Sequence, residues 1–294
     1  MSRIALGLMR ISHKTKEEVA NLIEESLVLG INFFDLADIY GHGKCEELVG
    51  EVLKEKPYLR EKMYIQSKVG IAYETIGYDN SYDYLISYTK KILKRLNTTY
   101  LDCLLIHRID VFIDNKEVYD AIKYLKDEGL IRDFGVSNFN SEEIKYLKEY
   151  DIDIKYNQVS LGLGNMNMID QIFYTNVPVN IVAKDVDNLF FYLKRKHITI
   201  QCWSPFQYGF FEGSIFDEQK YPKINEVLEK YANKYKTSKC AIATSFLLKL
   251  DKDLIVITGS CNIAHIKECI DGEAIKLERA DWYQIYKDCG HLLP

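Results

Sequence analysis

Four polar residues stand at or near the ends of apolar segments, and together they could perform proton-transfer chemistry. Asp35 ends "INFFD", Tyr40 follows five residues later, Lys68 ends "MYIQSK", and His107 ends "LDCLLIH". A free phenol is a weak acid at neutral pH, and a neighbouring ammonium group favours its ionised form. Each residue alone has an ordinary explanation, such as a turn aromatic or a lysine that reaches the surface. The combination of the four residues favours a site for proton transfer.

The effect of a neighbouring charge on the phenol of such a site can be given a magnitude. A unit charge about 4 Å away contributes up to about 4 kcal/mol at an effective dielectric of about 20. We therefore expect Lys68 to lower the pKa of Tyr40, and Asp35 to reduce that effect through its negative charge. We expect His107 to be neutral, because a second cation beside Lys68 is unfavourable.

The elements that must position these residues alternate between short apolar runs and longer amphipathic stretches, which is typical of a parallel sheet. The pattern predicts eight strands: Arg3–Leu8, Asn32–Asp35, Met63–Lys68, Asp102–His107, Asp133–Val136, Ile154–Val159, Thr199–Trp203 and Leu254–Thr258. It predicts helices at Thr15–Leu29, Cys45–Leu53, Tyr82–Leu96, Lys116–Glu128, Ser141–Glu149, Asp185–Lys196, Ile224–Tyr235, Ser238–Leu250, Ala264–Asp271 and Arg279–Asp288. Thr15 with Glu18, and Ser141 with Glu143, are the expected helix caps.

Eight strand–helix units favour a (β/α)₈ TIM barrel, an α/β fold, formed by residues 1–294 as a single domain. In such a barrel, polar residues at the carboxyl ends of strands meet at one rim. A doubly wound sheet is the alternative, but "GHGKCE" and "GLGNMN" both lack the third glycine of the dinucleotide-binding turn.

Composition excludes several classes of protein. A net charge of -5 argues against a nucleic-acid partner, and no stretch is apolar enough to indicate a membrane span. The absence of a secretory signal and of paired cysteine motifs among the seven cysteines indicates a cytoplasmic protein with reduced thiols. The six histidines are scattered, so we expect no metal site.

The chain resembles the aldo-keto reductase family. The segments that carry the resemblance are "FFDLADIYGHGKCEELVGE", "MYIQSKVGI", "YLDCLLIHRID", "IRDFGVSNFN", "YNQVSLG" and "CWSPF". It is most similar to the bacterial oxidoreductase branch near the potassium-channel β-subunits. The resemblance implies a catalytic tetrad of Asp35, Tyr40, Lys68 and His107, with Tyr40 as the proton donor and His107 orienting the substrate.

The resemblance also implies a nicotinamide cofactor. It assigns the carboxamide to Ser137, Asn138 and Gln158, ring stacking to Trp203, the pyrophosphate to Ser204, Phe206 and Gly209, and the adenosine end to Gly259, Ser260, Asn262 and His265. NADP(H) is the expected cofactor. NAD(H) is also possible, because His265 replaces the usual arginine, and a largely neutral histidine binds a phosphate less well than a guanidinium.

The implied function is NAD(P)H-dependent reduction of a small aldehyde or ketone by a monomer or weak homo-oligomer. The alternative is an NADP(H)-binding redox sensor or auxiliary subunit with slow turnover, since such relatives keep the tetrad. A (β/α)₈ hydrolase would need a second carboxylate at the rim, and none is evident in the sequence.

Overall fold

The computed structural model describes residues 2–174 and 188–294, and its centre is a closed barrel of eight parallel strands in the order β1 to β8. The strands are β1 Ile4–Gly7, β2 Phe33–Asp35, β3 Tyr64–Val69, β4 Leu101–Ile106, β5 Ile131–Ser137, β6 Tyr156–Ser160, β7 Thr199–Trp203 and β8 Ile255–Thr258. All eight predicted strands are confirmed, with ends that differ by at most two residues. The expected (β/α)₈ barrel is therefore present.

Helices cover the outside of the barrel. They are α1 Lys16–Val28, α2 Lys44–Glu55, α3 Tyr82–Arg95, α4 Asn115–Asp127, α5 Ser141–Leu147, α6 Asn167–Phe173, α7 Leu189–Arg195, α8 Pro222–Tyr235, α9 Lys239–Leu248, α10 Ile263–Asp271 and α11 Arg279–Asp288. Short 3₁₀ turns lie at Tyr40–Gly43, Pro57–Lys62 and Gly272–Ala274. No helix within the two described ranges is long and apolar enough to cross a bilayer.

The structure confirms one predicted helix cap and differs from the sequence at two other helices. Thr15 and Glu18 form the expected capping box of α1. The predicted cap at Ser141 was wrong by one residue, because the Asn140 side chain accepts from the Glu143 amide while Glu143 accepts from the Asn140 amide. Helix α6 was not predicted, and residues 185–187 of the helix predicted at Asp185–Lys196 lie outside the described residues.

The barrel has two apolar regions, separated by the alternation of side chains along each strand. Inward-facing residues form a small interior cluster of Ala5, Phe33, Cys103, Leu105, Tyr156, Ile255 and Ile257. Outward-facing residues pack against the helices in the main core. Asp35, Gln66 and Lys68 continue the inward rows toward the carboxyl ends of β2 and β3, so the barrel interior changes from apolar to polar at that end.

Helix α2 packs closely against the end of α3, and a glycine makes this contact possible. A Cβ atom on Gly50 would lie 1.9 Å from the backbone oxygen of Arg95. The contact matters for the barrel rim because the side chains of Glu46 on α2 and Arg95 on α3 form an ion pair.

We expect Gly50→Ala to destabilise the protein, although alanine is the better helix former. The clash involves backbone atoms that cannot rotate away, so the expected loss is about 1–3 kcal/mol in the free energy of unfolding, measured by urea denaturation. Glu51→Ala is the matched control, because Glu51 is exposed and its ion pair with Lys44 is long, at 3.8 Å. Equal stability of the two variants would contradict the packing of α2 on α3.

Candidate active site

Asp35, Lys68 and Tyr40 form a hydrogen-bonded chain at the carboxyl end of the barrel. The Lys68 ammonium donates to Asp35 Oδ2 at 2.8 Å, to the backbone oxygen of Leu36 at 2.8 Å and to the Tyr40 hydroxyl at 3.0 Å. Lys68 is fully buried, so its three N–H groups all have protein acceptors. The structure therefore brings together three of the four residues singled out from the sequence.

A ring of buried amides fixes the other oxygen of Asp35. Gln66 and Gln158 donate to Asp35 Oδ1 at 2.7 and 2.9 Å, and both also donate to the Gln201 side-chain oxygen at 2.9 Å. Gln201 in turn donates to Gln66 at 3.0 Å. This network joins strands β2, β3, β6 and β7 across the barrel interior, and it holds the carboxylate in one orientation.

The surroundings set the protonation of Lys68 and Tyr40. Burial alone would lower the pKa of Lys68, but Asp35 and then Tyr40 raise that pKa above its usual value. For Tyr40, burial raises the pKa, and the opposing effect of Lys68 is smaller. The expected net lowering of the Tyr40 pKa was therefore wrong, because the sequence could not reveal how strongly the protein excludes water. In this state Tyr40 keeps its proton.

His107 completes the group from the other side of Tyr40. The two rings meet edge to face with centroids 6.2 Å apart. Burial, then Lys68, then Arg108 hold the pKa of His107 well below its usual value, in line with the expected neutral imidazole. Its Nδ1 atom is buried without a hydrogen-bond partner among the described residues, so Nε2 is the ring nitrogen left to meet a ligand.

A second cluster of ionisable groups lies beneath the turn that carries Tyr40. Glu46 is fully buried and accepts from Ser67 Oγ at 2.6 Å and from Arg95 at 3.1 Å. Asp38 is also fully buried, and neither of its carboxyl oxygens has a hydrogen-bond partner among the described residues. Burial, reinforced by Glu46, raises the pKa of Asp38 to about 8. Asp38 is thus a neutral acid at pH 7.

A cavity of about 280 Å³ opens beside these groups. Its walls include the following predicted site residues: Asp35, Tyr40, His107, Ser137, Asn138, Gln158, Trp203, Ser204, Phe206 and Gly259. Asn138 and Ser204 follow β5 and β7 with left-handed backbones, at φ 62° and 49°. Such conformations are uncommon for residues with a side chain and are often found at functional sites.

The residues predicted to bind the carboxamide already contact one another. Asn138 donates to Ser137 Oγ at 2.9 Å and to the His107 backbone oxygen at 3.3 Å, and it accepts from the Trp203 indole at 2.9 Å. The side-chain oxygen of Gln158, in contrast, accepts no hydrogen bond from the described residues. It is therefore a free acceptor in the cavity wall, next to the inward-facing polar groups.

Of the residues predicted to bind the outer parts of the cofactor, Ser204, Phe206 and Gly259 line the cavity, and the other four lie away from it. Gly209 lies in the loop after β7, where its amide donates to the Gly164 oxygen at 3.1 Å. Ser260 and Asn262 form the turn into α10, in which Asn262 accepts from the Ala264 amide at 2.9 Å. His265 is exposed on the first turn of α10. Ser260, Asn262 and His265 follow Gly259 in the chain, and neither they nor Gly209 line the cavity.

Sequence reasoning missed two members of the amide ring and the acidic cluster. Gln66 and Gln201 each stand two residues before a predicted strand-end residue, Lys68 or Trp203, and therefore share its inward face. This spacing of two residues along a strand could have identified Gln66 and Gln201 as inward-facing. Asp38 had no comparable signal, because it lies in a loop whose path the sequence does not reveal.

Comparison with known proteins gives the family. The model of the aldo/keto reductase family matches residues 3–287. "Oxidoreductase YdhF" of Escherichia coli is 30% identical over 296 residues, covering 97% of this chain and 93% of that protein. A "6-dehydroglucose reductase" of Agrobacterium fabrum is 27% identical over 299 residues, with 97% and 93% covered. This chain belongs to the aldo/keto reductase family, a family of oxidoreductases.

Solved structures agree with this fold. The crystal structure of an aldo-keto reductase from Klebsiella pneumoniae in complex with NADPH has a TM-score of 0.77 to this chain, with 20% identity and coverage of 98% of this chain and 90% of that one. At this identity the similarity establishes the barrel and not the ligand.

Asp38 makes stability depend on pH in a defined direction. Because its folded pKa, about 8, lies above the usual value of 3.8, the unfolded chain loses this proton first as the pH rises. Asp38 alone should then lower stability by up to about 1.4 kcal/mol per pH unit between about pH 4 and about pH 8. Asp38→Asn removes the titration, so its stability relative to the parent should increase toward higher pH.

The measurement is urea unfolding of the parent and Asp38→Asn at about pH 5 and about pH 8. Asp253→Asn is the control, because Asp253 is exposed and should leave the pH dependence unchanged. The same pH slope in the parent and Asp38→Asn would mean that Asp38 is ionised in the folded protein.

Proposed function

We propose that this protein is an NAD(P)H-dependent reductase of aldehydes or ketones in which Tyr40 is the general acid. The observation that carries the proposal is the 3.0 Å hydrogen bond from the buried Lys68 ammonium to the Tyr40 hydroxyl, at the edge of a cavity that His107 also lines. A further proposal is that residues 1–294 act as one unit in the cytoplasm on a small carbonyl compound.

In this proposal each residue acts at a stated atom. Tyr40 donates its phenolic proton to the carbonyl oxygen of the substrate, and Lys68 stabilises the phenolate that remains. Asp35 keeps Lys68 charged and directed at Tyr40. The neutral His107 donates a hydrogen bond from Nε2 to the same substrate oxygen and so orients the carbonyl group. The cofactor, when bound, supplies the hydride.

The wall opposite Tyr40 suits a nicotinamide group. The free side-chain oxygen of Gln158 can accept an N–H of the carboxamide, and Ser137 and Asn138 offer further polar atoms beside it. Asn138 would then exchange one of its present contacts for one with the carboxamide. Trp203 offers an indole face next to these groups, which supports stacking on the nicotinamide ring.

The adenosine end would lie along Gly259, Ser260, Asn262 and His265. His265 is exposed and has no hydrogen bond or ion pair within the described part of the chain, and an imidazole offers a 2′-phosphate fewer donors than the paired N–H groups of a guanidinium. We therefore propose that NADPH and NADH bind with similar affinity.

Tyr40→Phe should remove the proton donor and leave the cavity shape almost intact. We expect kcat for a reactive aldehyde to fall by about 100-fold to 10,000-fold, because general acid catalysis contributes that much. The assay follows NAD(P)H oxidation in the presence of benzaldehyde. Tyr283→Phe, a change at an exposed tyrosine on α11, should keep the parent rate. Undiminished turnover by Tyr40→Phe would exclude the proposed acid, whereas cofactor binding without turnover in the parent would favour the sensor function.

His265→Arg should add a positive charge to the outer site, where Arg10 already donates to the Gly259 oxygen at 3.3 Å. A charge-assisted contact with the 2′-phosphate is expected to tighten NADPH binding by about tenfold or more without changing NADH binding. Quenching of Trp203 fluorescence measures both affinities, with Trp282 as a buried background. His197→Arg adds the same charge at an exposed position before β7 and should change neither affinity. Equal tightening of NADPH and NADH would contradict a 2′-phosphate contact.

A further inference from the structure

Arg108 lies in the cavity wall directly after His107, and the proposed reaction leaves it without a role. Its side chain is partly buried and has no hydrogen bond or ion pair with any described residue. The other partly buried arginines differ in this respect. Arg3 donates to the Leu248 oxygen, Arg60 pairs with Asp102 and Arg95 pairs with Glu46.

Among the described residues, the carboxylates nearest to Arg108 in the cavity wall and in the chain, Asp35 and Asp110, have other partners. Asp35 is engaged by Lys68 and by two buried amides. Asp110, two residues further on, accepts from the Phe112 amide at 3.0 Å. A partly shielded guanidinium without an acceptor is unfavourable for the protein itself, and its planar set of N–H groups matches a carboxylate from outside.

The rest of the accessible wall is mainly apolar. Met9, Ile39, Ile71 and Phe211 contribute side chains to the cavity, and Phe211 also lies against Trp203 with ring centroids 5.9 Å apart. A ligand that fills this space needs an apolar body.

We propose that the substrate is an aldehyde or ketone with an aromatic or aliphatic body and a carboxylate group, and that Arg108 binds this carboxylate. This inference rests on the proposed function, because it places the carbonyl group at Tyr40 and His107. Arg108 follows His107 in the chain, so the carboxylate lies on the same side of the cavity as the imidazole. Arg108 selects the substrate and takes no part in proton transfer.

The test compares two para-substituted aldehydes of similar size, 4-carboxybenzaldehyde and 4-methylbenzaldehyde. In Arg108→Gln the ratio of kcat/KM for the acid to kcat/KM for the neutral aldehyde should fall by about 10- to 100-fold relative to the parent, mainly through KM. For each aldehyde, kcat/KM of the variant is divided by kcat/KM of the parent. This division cancels the electronic difference between the two rings. Arg108→Lys should restore part of the ratio, because it keeps the charge but loses the planar pair of donors.

Arg279→Gln is the matched control, since it removes one positive charge from an exposed position on α11 and should leave the ratio unchanged. An unchanged ratio in Arg108→Gln, including an equal loss of activity toward both aldehydes, would overturn the inference while the reductase function stands. If the parent reduces neither aldehyde, the proposed function is overturned, and the inference with it.

Discussion

The buried ion pair between Lys68 and Asp35 is the interaction on which the rest of the site depends. Lys68 is 0% exposed, and an ammonium group in such a place would be neutral without a close anion. Its distance of 2.8 Å from Asp35 keeps it charged, and its third N–H reaches Tyr40. Removing either partner would leave an uncompensated charge inside the barrel, which is far more costly than losing a surface ion pair.

The barrel supplies this arrangement through its strands and not through its loops. Side chains two residues apart on a strand share the inward face, so Gln66 and Lys68 of β3 both point into the barrel. The register places Asp35 beside Gln66 and Gln158 beside Gln201. The amide ring therefore follows from strand pairing, and it holds Asp35 more rigidly than a loop could.

The strands, and the meeting of Asp35, Tyr40, Lys68 and His107 at one rim, could be predicted because they depend on local pattern. Short apolar runs identify strands, and a polar residue at a strand end stands out against such a run. The acidity of Tyr40 could not be predicted, because it depends on how closely neighbouring elements exclude water. Arg95 lies far from Asp38 and Glu46 in sequence, and it meets them only when α3 packs against α2. The lack of a partner for Arg108 among the described residues could not be predicted either, because it depends on which acids pair with other groups in the folded chain.

Charge balance at the rim explains why a neutral Asp38 suits this site. Three buried carboxyl groups, Asp35, Asp38 and Glu46, face two buried or partly buried cations, Lys68 and Arg95. If all three were ionised, the negative charge would exceed the positive charge and would oppose formation of a phenolate at Tyr40. With Asp38 protonated, Asp35 faces Lys68 at 2.8 Å and Glu46 faces Arg95 at 3.1 Å, while burial raises the pKa of Glu46 as well. The positive field at the Tyr40 hydroxyl then comes from Lys68 with only Asp35 directly opposing it, while Arg95 is matched by Glu46. Arg108 and the exposed Arg10 are the cations of the cavity wall that have no ion pair among the described residues, and an anionic substrate would complete the balance at Arg108.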